Sequence, residues 1–285
     1  MGAKSWVRCV ATAAAVTTVM AAAACASKGG AAGTTVDLNT ESAAQAVLEG
    51  QSAGGAQHTV HNHATITEKA FTITMDGVQR TDALEEDQTS ATTTAATNTT
   101  VHGEIRVEGN AVYLNDPGLP ATYRQGKTWV KIDLTHPLSA APGAPASALF
   151  ATLSSTYRHW DPRQASAFTL AFSDLHRVGV ETRDGERALH IAGTLTLATL
   201  PATPPAGSGL TQDYLDYRRQ QLQAVKATKV GIDCWYGADG RLIESIEVDS
   251  TADGDTVIDL TAVKWGVPLT VSVPPAADSY VVPVT

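Results

Sequence analysis

The feature that most constrains this chain is a set of five turn dipeptides, Asp76-Gly77, Gly109-Asn110, Asp184-Gly185, Asp239-Gly240 and Asp253-Gly254, flanked by alternating or β-branched segments. Such pairs accept the positive backbone angles that a tight antiparallel hairpin demands, so they predict a sheet built from consecutive strands. The segments that read as strands are 58-67, 69-76, 91-100, 103-108, 111-115, 121-125, 127-134, 175-184, 186-198, 229-237, 240-249, 255-264 and 267-273. The stretch from Asp82 to Thr100 is acidic at Asp82, Glu85, Glu86 and Asp87 and then Thr-rich. It reads as a solvated loop followed by an edge strand.

Helical spacing appears in four places. Ser42 and Gln45 have capping-box spacing before Ala43, Val47 and Leu48, which predicts a helix from Ser42 to about Gly50. Leu149, Leu153 and Tyr157 form an i, i+4, i+8 stripe after Pro145. Asp161-Pro162-Arg163-Gln164 supplies an N-cap, a proline at the first helical position and a glutamine at the third, ahead of Ala165, Phe168 and Phe172. The last helix is expected from about Leu210 to Ala227, with Leu210, Tyr214 and Tyr217 on one stripe. The order helix, strands, helix pair, strands, helix, strands predicts an α+β fold with one large antiparallel sheet, not alternating βαβ units.

The N-terminus has the layout of an export signal: Lys4 and Arg8, an apolar stretch from Val10 to Met20, and small residues from Ala21 to Ala24. A cysteine follows at once. Cys25 is therefore the expected lipidation site and first residue of the mature chain, although Ala22 stands where the lipobox more often has leucine. The alternative is ordinary secretion, cleaved near Ala22 to Ala24, with Cys25 an unused thiol. On the first reading residues 1-24 are the signal peptide, 25-37 the lipidated cysteine with a Gly/Ala/Ser/Thr tether, and 38-285 a single domain on the extracytoplasmic face of the cell membrane. A diacylglyceryl group carries two chains, each contributing about 0.8 kcal/mol per buried methylene, which is enough for stable attachment.

Charge excludes other partners. Removing Lys4 and Arg8 leaves 18 basic residues against 29 acidic, a net charge of -11. Such a body has no electrostatic footprint for nucleic acid and gains nothing from an anionic membrane surface. Cys234 is the one cysteine left beyond Cys25, so no internal disulfide is expected. A monomer is expected, with no cofactor.

Four stretches carry a family resemblance: Gly126-Lys127-Thr128-Trp129-Val130-Lys131-Ile132-Asp133-Leu134; Val178-Gly179-Val180-Glu181-Thr182 with Asp184-Gly185 and His190; Asp233-Cys234-Trp235-Tyr236 before Asp239-Gly240-Arg241-Leu242; and Trp265-Gly266-Val267-Pro268. In this order and spacing the chain resembles the mycobacterial LppX/LprG group of lipoproteins and the related LolA/LolB-like fold, over roughly residues 40 to 280. The resemblance implies a curved, half-open antiparallel barrel capped by helices on its concave side, and an apolar cavity that takes and carries lipid acyl chains. The candidate lining is Ile66, Ile73, Ile132, Leu153, Phe168, Phe172, Leu189, Ile191, Ile232 and Cys234. Alternation puts Ile232, Cys234 and Tyr236 on one strand face, Ala64 and Ile66 on another, and Leu189 and Ile191 on a third. A packed core beneath helices fits these residues equally well. The alternative function is thus a surface interaction module with a solid core, serving a membrane transporter or sensor.

Motifs for chemistry fail on inspection. Gly126-Lys127-Thr128 lacks the first P-loop glycine, because residue 121 is alanine. Gly207-Ser208-Gly209 lacks the third glycine of a dinucleotide fingerprint, because residue 212 is glutamine. His61 and His63 should share one strand face with His58 on the other, so the three converge only at a bulge or strand end. Exposed strand histidines are the expectation, and no metal site is assigned. Cys234 has no local Cys/His signature, and no nucleophile elbow or zinc-protease motif occurs. The expectation is a binding protein, not an enzyme.

Overall fold

The computed structural model describes residues 35–138, 145–159 and 161–283. The signal segment, Cys25 and most of the tether lie outside the described residues. Val36, two residues ahead of residue 38, is buried, and its N–H donates to the Ala238 carbonyl at 3.0 Å.

Helix α1 (Ala43–Gly55) precedes five strands, β1 (Thr59–Glu68), β2 (Phe71–Arg80), β3 (Glu85–Thr94), β4 (Thr99–Glu108) and β5 (Ala111–Asn115). A one-turn helix α2 (Ala121–Arg124) leads to β6 (Trp129–Asp133), then α3 (Pro145–Arg158) and α4 (Pro162–Phe168). Strands β7 (His176–Arg183) and β8 (Glu186–Leu195), helix α5 (Gln212–Ala224), strands β9 (Lys229–Gly237), β10 (Leu242–Thr251) and β11 (Gly254–Trp265), and the short β12 (Ser279–Val281) complete the chain. All twelve strands form one sheet in the order β12-β6-β5-β4-β3-β2-β1-β11-β10-β9-β8-β7. It is a large curved sheet that does not close, antiparallel throughout except where β12 runs parallel to β6.

The local chemistry explains most boundaries. Ser42 accepts the Gln45 N–H, Asp161 accepts the Arg163 N–H ahead of α4, and Thr211 accepts the Tyr214 N–H ahead of α5. At Asp184-Gly185 both residues have positive φ, 49° and 81°, as a two-residue hairpin of the primed type requires. α1 runs five residues past its expected end because its Gly-rich tail is buried, and Gly50 lies against the Tyr236 ring, where no side chain fits.

Four expectations are corrected. Asp76-Gly77 is no turn; it lies inside β2, and Gly77 is there because a Cβ would come within 2.3 Å of the Asp87 carbonyl on β3. Residues 121-125 form α2 instead of a strand, stopped by Gln125 in the left-handed region. Residues 85-94 are neither loop nor edge: they form β3, paired on both sides, with the exposed turn at 95-98. Residues 267-273 pair with nothing in the sheet. They begin a strap over 266–278 that carries the chain from β11 to β12, a lateral step of about 34 Å at ~4.8 Å per strand. Pro268, Pro274 and Pro275 withhold backbone donors along it, and side chains hold it down: Thr59 donates to the Val267 carbonyl at 2.7 Å, Arg106 to Ser272 at 2.6 Å, and Lys127 to Ala277 at 2.8 Å.

Every helix longer than one turn packs on the same side of the sheet. The opposite side carries a continuous cross-strand row, from His190 through Trp235, Glu244 and Thr261 to His63, and on through Asp76, Thr89 and Glu104 to Asn115. Polar residues on this face and apolar residues on the helix-covered face are what a one-sided antiparallel sheet should show.

Candidate functional site

The ten candidate lining residues are all buried on the helix-covered side, but they fall into three groups. Phe168, Phe172, Leu189, Ile191, Ile232 and Cys234 pack with Val47 of α1 and Leu215 of α5. Ile132 and Leu153 pack with Val107, Phe150 and Tyr157 near α3. Ile66 and Ile73 belong to a smaller group with Phe71, Met75 and Leu260. None of the ten is more than 7% exposed.

Polar residues that sequence reasoning missed lie among these groups. Glu86 of β3 is 1% exposed, and Tyr157 of α3 donates to its carboxylate at 2.9 Å. Burial pushes the Glu86 carboxyl up to about 7, and burial beside that carboxylate also raises the Tyr157 phenol well above its ordinary value. Under α5, Arg218 donates to Glu247 of β10 at 2.8 Å, both buried, and burial raises the neighbouring Asp249 above the usual carboxylate range. Asn62 of β1 is 1% exposed and neither of its amide atoms has a hydrogen-bond partner; Ser245 Oγ and Gln51 Nε2 are likewise buried and unpartnered. The signal was present in the alternation of Glu86 and Gln88 with Asp87 and Thr89. It was hidden because glutamate and glutamine are almost never buried unless paired.

Cys234 is wholly buried, and burial raises its thiol far above the ordinary range, so it is a poor nucleophile in this state. The histidines separate as alternation requires. His61 and His63 both face Asp76, at 2.9 and 3.5 Å, whereas His58 faces Asp82 at 2.9 Å. Among the described residues no group of three or more His, Cys, Asp or Glu side chains could hold a metal ion.

On the helix-free face the structure holds an open groove of about 350 Å³. Its axis is the segment of the cross-strand row formed by His63, Asp76, Thr89, Glu104 and Asn115, with His102 alongside. Glu104 is paired with Arg106 at 2.6 Å.

No family model matches the chain, and no curated protein matches it. Among solved structures it is similar to the lipoprotein LppX of Mycobacterium tuberculosis, with a TM-score of 0.44 and 16% identity, covering 75% of this chain and 90% of that one. It is also similar to LprF of Mycobacterium bovis, with a TM-score of 0.40 and 14% identity over 81% of this chain and 96% of that one. A DUF1329 family protein from Desulfovibrio piger matches with a TM-score of 0.20 and 10% identity over 74% and 86% of the two chains.

Proposed function

We propose that this protein is a lipid-anchored extracytoplasmic carrier that takes an acyl-chain-bearing ligand between its sheet and its helices, without chemistry. The observation that carries the reading is the divided interior. One face of a single open sheet holds three apolar groups, and buried polar side chains with unmet hydrogen-bonding capacity, Asn62 above all, lie on that same face. Leaving a buried polar group unpaired costs about 1–3 kcal/mol, so a core selected only for rigidity should not retain it. Helices that can part from the sheet would admit chains between the apolar groups and give the polar atoms something to bond.

The second reading, a solid-core interaction module, draws on the near-complete burial of all ten candidates. The two readings part on one experiment. Native mass spectrometry of protein purified from its own host should show co-purifying lipid, and the lipid-free protein should take up a fluorescent fatty-acyl probe. Consistently lipid-free protein that takes up no probe would remove the carrier reading and leave the module. Anchoring has its own test: the Cys25→Ala variant should be released to the medium still folded, and finding it membrane-bound would overturn the attachment.

A further inference from the structure

The groove on the helix-free face is remote from the acyl-chain interior, separated from it by the sheet itself. Its volume, about 350 Å³, falls at the lower end of small-molecule sites, roughly 300–1,000 Å³. Three kinds of occupant conflict with its chemistry. Acyl chains would desolvate Asp76 and Glu104. An anion would meet those same carboxylates. A metal ion finds no set of three suitable ligands among the described residues.

Both carboxylates nonetheless already have polar partners. Asp76 faces both His61 and His63, and Glu104 is paired with Arg106. The groove lining contains no Trp, Tyr or Phe to hold a bare organic cation. What remains is a floor rich in hydrogen-bonding groups. Planar carboxylates accept hydroxyl protons, the Asn115 amide both donates and accepts, and the Thr89 hydroxyl and the His102 imidazole do either. Ala91, between them, leaves the floor low.

We propose that this groove binds a neutral, polyhydroxylated ligand, a short segment of carbohydrate, through Asp76, Glu104, Asn115 and the flanking histidines. The site lies across five paired strands, about 19 Å at ~4.8 Å per strand. Binding here is independent of the helices and of any lipid.

Isothermal titration of the purified protein with maltose, lactose and cellobiose tests this. At least one sugar should bind saturably. Asp76→Ala should weaken that binding about tenfold, and Ala91→Trp should abolish it by filling the floor. Asp76 is half exposed, so its replacement should leave the unfolding transition in place, and Ala91→Trp provides an independent check. The absence of saturable heat with every sugar would overturn the proposal. So would saturable binding that neither variant weakens. Stoichiometric uptake of Zn²⁺ in place of any sugar would also overturn it, making the histidines metal ligands instead.

Discussion

His190 lies flat on the indole of Trp235, ring centroids 4.4 Å apart and planes within 19°. The guanidinium of Arg183 also sits over that ring, 4.3 Å from its centroid, and is held there by Glu244. Trp235 donates its Nε1–H to Glu181 at 3.1 Å, while the His190 ring nitrogens face Glu181 and Asp233. Four strands, β7 to β10, are thus tied together on the face that no helix covers. Trp235→Ala should cost about 3–5 kcal/mol, whereas Trp235→Phe should cost only ~1 kcal/mol, the bond to Glu181. Urea unfolding midpoints of the two variants check this ordering. Equal losses would mean that the bond, not the stack, does the holding.

Glu86 makes stability depend on pH in the direction opposite to a salt-bridged acid. Its carboxyl titrates at about 7 in the fold against 4.5 ordinarily, because burial disfavours the charge more than the Tyr157 hydroxyl favours it. Between pH 4.5 and 7 the folded state therefore holds more protons than the unfolded one. Stability conferred by protonated Glu86 is full below pH 4.5 and falls as pH rises to 7, by on the order of 3 kcal/mol. Glu86→Gln keeps an acceptor for Tyr157 and removes the charge. It should flatten that part of the profile and raise stability at pH 8, as read from denaturant unfolding at several pH values.

Much of this fold was legible because hairpin chemistry is local. Asp184-Gly185 and Gly109-Asn110 set their turns by backbone angle alone, and the Ser42 and Asp161 caps need only their own next three residues. What was not legible depends on neighbours far along the chain. Gly77 resembles a turn glycine in sequence, yet it serves a close approach to Asp87 of β3. β3 resembles a solvated loop because its inward side chains, Glu86 and Gln88, are polar, and the Tyr157 hydroxyl that meets Glu86 lies on α3. β12, three residues long, carries no periodicity to read. The candidate lining residues are all buried, and periodicity along one strand gives no information on how three groups divide one sheet face.

Gly77 gives the direct test of that misreading. At a turn, alanine would be tolerated or mildly strained. Inside β2, its Cβ would approach the Asp87 carbonyl at 2.3 Å and the Gln88 backbone at 2.6 Å, and backbone cannot step aside as a flexible side chain can. Gly77→Ala should therefore destabilise by about 1–3 kcal/mol or more, as overpacking does, despite the gain in strand propensity. A thermal melt with an unchanged midpoint would show that β2 and β3 are farther apart than described.

Cys234 reports on whether the helices part. It faces the interior among residues of α1, α4 and α5, wholly buried, with a thiol held protonated by that burial. A maleimide reacts with the thiolate, so labelling requires an opening that admits water and reagent. In the mature chain with Cys25→Ala, Cys234 is the sole thiol. If the interior is a solid core, labelling waits for global unfolding and proceeds at that rate. If it is an acyl-chain site, a local opening suffices, and labelling should outpace unfolding measured independently in denaturant. A polyene fatty acid bound between sheet and helices should then slow the reaction by occupying the space through which the reagent passes. Labelling at the global rate, unchanged by the fatty acid, would decide for the solid core.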